Sequence, residues 1–203
     1  MRLLRATTEA DMVAVFLKAE IGSERYGASV LDALQKHTAE RHIIDTPNLS
    51  DEAENQLRRA VLDEYRGYLK RNELFGDFPT DVQWRRVLLD KADLRRAKYI
   101  VYDYWVELSG GSRLAADAAT HIRNGMLVFG TMSTAEHLER AEQLRQSKRA
   151  PEMIFVSTGD GGDLVVLEGH NRLTAYLLAL DDIPDEVEAL IGYSPNIVHW
   201  DGY

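Results

Sequence analysis

The sequence predicts an α/β (α+β) fold over residues 99–203, preceded by a helical region over residues 1–98. Two observations lead to this division. Apolar residues recur at helical spacing through the first part, as at Leu57, Val61, Leu62, Tyr65 and Leu69. From Tyr99 onward, aromatic and β-branched runs alternate with helical stretches and glycine-rich turns.

Taken in order, Thr8 caps a helix that begins with acidic residues and ends before Gly22. Residues 29–36 predict a second helix carrying Val30, Leu31 and Leu34. After a loop at 46–50, Ser50 caps a long polar helix reaching about Arg71. The Gly76-Asp-Phe-Pro79 break leads to Thr80, which caps a helix through Trp84, Val87 and Leu88 towards Leu94. Residues 99–108 (YIVYDYWVEL) predict a strand, and Ser109-Gly-Gly-Ser112 a turn. A helix follows over 115–123, stopped by Asn124-Gly125, then a short strand at 126–129. Ser133 caps an amphipathic helix to about Lys148. Strands at 152–157 and 164–167 flank the glycine-rich turn 158–162 and form a hairpin. A helix runs from after Gly169 to about Leu180, and 187–191 reads as the last strand.

Composition narrows the function classes. The chain of 203 residues has a formal net charge of -9, 45% hydrophobic and 28% charged residues. Such an acidic chain is poorly suited to binding a nucleic-acid backbone non-specifically. With no cysteine, disulfides, thiolate metal sites and cysteine nucleophiles are excluded. The sequence offers no membrane-span-length apolar run and no signal-peptide pattern, which leads to the expectation of a soluble, cytoplasmic protein. The six histidines lack zinc spacing, and neither a Walker loop nor a Rossmann glycine pattern is present.

Two turns are candidate sites. In Glu168-Gly-His-Asn-Arg172, a strand hands over to a helix whose first N–H groups and positive dipole end attract anions. Arg172 adds a planar fork of donors, and Glu168 a carboxylate able to accept a proton. His170 is able to donate to phosphate or polarise an acceptor, and Thr174 to donate its hydroxyl. The alternative is that Glu168 and Arg172 pair with each other and Thr174 bonds a preceding carbonyl. The second turn is Ser109-Gly110-Gly111-Ser112-Arg113, where two glycines permit close backbone approach and Ser112 and Arg113 supply phosphate donors. Equally, such a turn only reverses the chain. Asp103 and Glu107, on one face of a strand, either hold Mg²⁺ or face solvent. Tyr99, Tyr102, Tyr104 and Trp105 either stack on a base or fill the core. Arg85-Arg86 and Arg95-Arg96 read as solvated faces or interface pairs.

The hairpin, the Glu-Gly-His-Asn-Arg turn and the small-residue helix after it resemble the signature of the ParB/sulfiredoxin-like superfamily. The likeness covers roughly the last ninety residues, with the motif proper at 168–172 and the helix through Ala179. It implies a nucleotide-phosphate site formed by Gly169, Asn171, Arg172 and Thr174, with Mg²⁺ accompanying ATP or ADP, or else CTP. Sulfiredoxin chemistry needs a cysteine beside the arginine and is excluded here. The partition proteins carry a basic DNA-binding tail that does not follow this motif, which disfavours a DNA clamp. The nearest likeness in motif is to the free serine kinases, in which the carboxylate matching Glu168 is a catalytic base. The function this implies is phosphoryl transfer from a nucleoside di- or triphosphate to a small hydroxylated metabolite, with Glu168 and His170 catalytic. The rivals are a nucleotide-dependent regulatory switch with a protein partner, a nuclease, and an interaction protein with a vestigial turn.

Overall fold

The computed structural model describes residues 1–126, 132–147 and 152–203. Among these the chain forms nine α-helices and one five-stranded mixed sheet, in the order β1-β2-β5-β3-β4. The strands are β1 (Arg2–Ala6), β2 (Gln83–Asp90), β3 (Met153–Ser157), β4 (Val165–Glu168) and β5 (Glu186–Tyr193). β3 runs parallel to β5, and the other neighbouring pairs are antiparallel. Residues 1–98 supply β1 and β2 to this sheet, so the helical first part and the α/β second part share one set of strands.

Strand alternation sends side chains to two separate cores. Ile154, Val156, Val165, Leu167 and Leu190 face a layer made by α1 (Glu9–Glu20), α2 (Gly27–Lys36), α3 (His42–Asp45) and α4 (Glu52–Arg66). Met153, Phe155, Val166, Ala189 and Ile191 face the opposite layer. That layer holds α5 (Lys91–Arg96), α6 (Asp103–Leu108), α7 (Ala115–Arg123), α8 (Thr134–Ser147) and α9 (His170–Leu178). β3 and β4 are buried on both faces, which explains why they read as unbroken apolar runs.

Local chemistry sets several helix starts. Thr8 Oγ1 accepts from the Asp11 N–H at 3.3 Å, and Ser133 and Glu136 form a reciprocal cap at the start of α8. α4 is capped by Asp51, one residue beyond the expected Ser50, and ends at Arg66 because Gly67 turns left-handed at φ 69°. No helix of the described residues is long and apolar enough to cross a membrane.

Two expectations are corrected. Residues 83–90 form a strand, not a helix: Trp84, Val87 and Leu89 are buried in a central strand paired on both sides. Trp84, Val87 and Leu88 also fit helical spacing, and pairing with β1 and β5 decides between the two. Residues 103–108 form α6 where a strand was expected. Tyr104, Trp105 and Leu108, spaced by one and three, make one buried helical face. Only the segment around Lys98 is extended, bridging Leu114 and Val165. β1 and α3 carried no sequence expectation. The short strand expected at 126–129 lies outside the described residues except for Met126.

Candidate functional site

β4 ends at Glu168 and α9 begins at His170, with Gly169 between them in the left-handed region at φ 104°. A Cβ at Gly169 would lie 2.9 Å from Met153 Cγ, so the turn requires glycine for both conformation and space. No side chain caps α9. Leu173 N–H donates to the Gly169 carbonyl at 2.8 Å, while the N–H groups of His170, Asn171 and Arg172 meet no acceptor among the described residues. Three donors and the positive helix end therefore converge here.

Arg172 holds two groups with its fork. Nη2 donates to Glu168 Oε1 at 2.7 Å, and Nη1 donates to the Glu152 carbonyl. Both side chains of the ion pair are partly buried, at 23% and 17% exposed. The Glu152 carboxylate in turn accepts from Arg86 Nη1 at 2.6 Å, and Arg86 also grips Asp11 of α1 and Glu188 of β5. The turn is thereby tied to the centre of the sheet.

His170 lies against Trp105 and Tyr99, with ring centroids 5.3 and 6.2 Å apart and planes within 16°. Its Nε2 is buried without a hydrogen-bond partner, as is Asn171 Oδ1. Burial, with the positive charges of Arg66, Arg172 and Arg25, pulls the imidazole down to about 3. The ring is neutral at ordinary pH and offers one donor and one acceptor nitrogen. Thr174 is fully buried: its hydroxyl donates to the His170 carbonyl at 2.9 Å and meets Tyr99 Oη at 2.7 Å. It steadies the first turn of α9 from inside.

The 109–113 turn lies elsewhere in role. Ser109 Oγ donates to the Trp105 carbonyl at 2.7 Å and accepts from the Arg113 N–H at 2.9 Å. Ser112 Oγ donates to the Ser109 carbonyl at 3.0 Å and accepts from the Leu114 N–H. Arg113, itself at φ 62°, donates to the carbonyls of Tyr99, Tyr203 and Gly202. Gly110 packs against the His121 ring, where a Cβ would sit 2.7 Å from Cε1. Gly111 is at φ 92° with open space beside it. The side chains of this turn are committed to backbone of the protein, and Tyr99 and Trp105 link it to the 168–172 turn.

The aromatic cluster divides: Tyr99, Tyr104 and Trp105 are buried, whereas Tyr102 is exposed. Asp103 and Glu107 are exposed on α6, one helical turn apart. No group of three His, Asp or Glu suited to a metal occurs among the described residues.

A set of residues from the first helical layer acts on the turn without any forewarning in the sequence. Arg66 at the end of α4 forks onto the buried Glu20 at the end of α1 and lies 3.5 Å above the Tyr26 ring. Burial raises the Glu20 carboxyl, and the Glu168 charge adds to the effect. Burial and the Glu20 and Glu168 charges also raise the Tyr65 phenol.

No protein-family model, curated protein or solved structure matches this chain.

Proposed function

We propose that the protein is a nucleotide-dependent phosphotransferase whose phosphate site is the 168–172 turn. One observation carries this reading: three successive N–H groups at the start of α9 lack acceptors among the described residues, beside the buried His170 Nε2 and Asn171 Oδ1, which have no partner among those residues either. A phosphate chain satisfies such donors, and a left-handed glycine lets it approach the backbone. ATP or ADP is the donor proposed first, with CTP as an alternative, and a small hydroxylated metabolite is the acceptor. Mg²⁺ would accompany the nucleotide and neutralise phosphate charge, with Glu168 and Glu152 as the partly exposed carboxylates beside the turn.

On this reading phosphate draws the Arg172 fork away from Glu168. The freed carboxylate takes the proton of the acceptor hydroxyl as its oxygen forms the new P–O bond. The bond to the leaving nucleotide breaks, and its electron pair stays on the nucleotide oxygen. The neutral His170 donates to phosphate without adding charge. Arg172→Ala abolishes nucleotide binding in calorimetry, whereas Glu168→Gln retains binding and loses turnover. Tight nucleotide binding by Arg172→Ala would sink the placement. So would the absence of any thermal shift across a panel of nucleoside di- and triphosphates with Mg²⁺.

The Glu168–Arg172 ion pair favours a second reading, in which the carboxylate stays paired and nucleotide binding serves as a regulatory switch for a protein partner. Nucleotide binding with no phosphate release, with or without hydroxylated acceptors, would select it.

A further inference from the structure

The far end of α9 borders a second concave surface. A cleft of about 440 Å³ opens over its last turn, floored by Leu177 and Leu178. Ala116 and Ala119, one turn apart on α7, line it and leave the space that larger residues would fill. Three arginines from three helices line this cleft: Arg95 of α5, Arg123 of α7 and Arg145 of α8.

Their commitments differ. Arg145 is fully engaged, with Asp182 at 2.8 Å, Glu142 at 3.0 Å and the Leu178 carbonyl at 3.2 Å. Arg123 gives one Nη2 to the Leu177 carbonyl and keeps its other donors. Arg95 is exposed and has neither a hydrogen-bond nor an ion-pair partner among the described residues. Asp181, also exposed and without an ion-pair partner among those residues, stands in the same lining. In a chain of net charge -9, two under-used arginines in the lining of one cleft are a specific feature. Guanidinium forks match the oxygens of phosphate and carboxylate, and the cleft volume suits a small molecule.

We infer that this cleft binds a small anionic metabolite. Its phosphate or carboxylate group rests on Arg95 and Arg123, and a hydroxyl or amino group of the same molecule donates to Asp181. The site is separate from the 168–172 turn and does not depend on the function proposed there.

Calorimetry at low ionic strength with inorganic pyrophosphate and with citrate tests the inference and separates the two oxyanion chemistries. Each probe is titrated into the wild type and into Arg172→Ala, so that binding at the turn is distinguished from binding at the cleft. In both proteins Arg95→Ala weakens the cleft signal about tenfold, Arg95→Glu removes it, and added salt reduces it. The exposed, unpartnered Arg95 makes these variants safe for folding. Binding that is unchanged by Arg95→Glu in both proteins overturns the inference, as does the absence of binding by either probe. A response to only one probe supports it and names the anion.

Discussion

The 168–172 and 109–113 turns are built from the same kinds of residue, yet the fold spends them differently. Each combines left-handed glycine with polar side chains and an arginine, Arg113 just ahead of α7 and Arg172 in the first turn of α9. In the 109–113 turn both serine hydroxyls and the whole Arg113 fork are bound to backbone groups of the protein. In the 168–172 turn three N–H groups, a buried imidazole nitrogen and a buried amide oxygen remain without partners among the described residues. Buried polar groups are seldom left unsatisfied, so the second inventory points to a ligand and the first to a staple. Residue types alone cannot separate the two cases; the fate of each donor can.

The largest expected effect tests the staple. Arg113→Ala removes donors to three carbonyls, two of them in the final residues of the chain, and leaves those acceptors without a cation. Bonds to a charged donor are worth about 1.5–3 kcal/mol each and do not add fully, so the loss is about 3–4 kcal/mol in urea unfolding. On the proposed function, nucleotide affinity of the folded fraction stays unchanged. A variant of normal stability that no longer binds nucleotide would reverse the assignment of the two turns.

A second effect separates the turns by pH. In the folded protein His170 is pulled down to about 3, against about 6.5 when unfolded. Between those values the unfolded chain holds a proton that the folded chain lacks, so stability is complete above pH 6.5 and declines as pH falls towards 3. The slope reaches about 1.4 kcal/mol per pH unit, giving about 2 kcal/mol between pH 6.5 and 4.5. His137, held down to about 4 by burial, adds a similar decline on its own account. His170→Phe keeps a ring against Trp105 and removes the titration, so the difference in stability between the variant and wild type shrinks on acidification by that amount. An identical pH dependence in variant and wild type would show that His170 is not held neutral. The serines and arginine of the 109–113 turn do not titrate in this window, and their variants leave the slope as it is.

Legibility in the sequence followed distance along the chain. Caps such as Thr8 and Ser133 act within three residues, and the helices they start are where the sequence places them. The β3–β4 hairpin and the 168–172 turn are equally local. β1 and β2 escaped because their stability comes from pairing between residues as distant as Leu3 and Val87. α6 escaped because aromatic residues that suit a strand also suit the inner face of a helix beneath β4 and α9. The same limit applies to the site. Glu168, His170 and Arg172 are neighbours in sequence, whereas Glu20, Tyr65 and Arg66 act on them from more than a hundred residues away. Only folding of the first helical layer brings those charges near.

The smallest effect is the most discriminating. Ser112 Oγ accepts from the Leu114 N–H at 3.1 Å and donates to the Ser109 carbonyl at 3.0 Å, closing the turn just before α7. α9 has no such closure, because Gly169 brings no side chain to its first N–H groups. Ser112→Ala therefore removes a local closure and costs about 0.5–1 kcal/mol, read as a lower urea midpoint at unchanged slope. Since the hydroxyl is already committed, nucleotide affinity does not change. Were Ser112→Ala to leave stability intact and weaken nucleotide binding tenfold, its hydroxyl would belong to a ligand, and the contrast between the two turns would fail at its simplest residue.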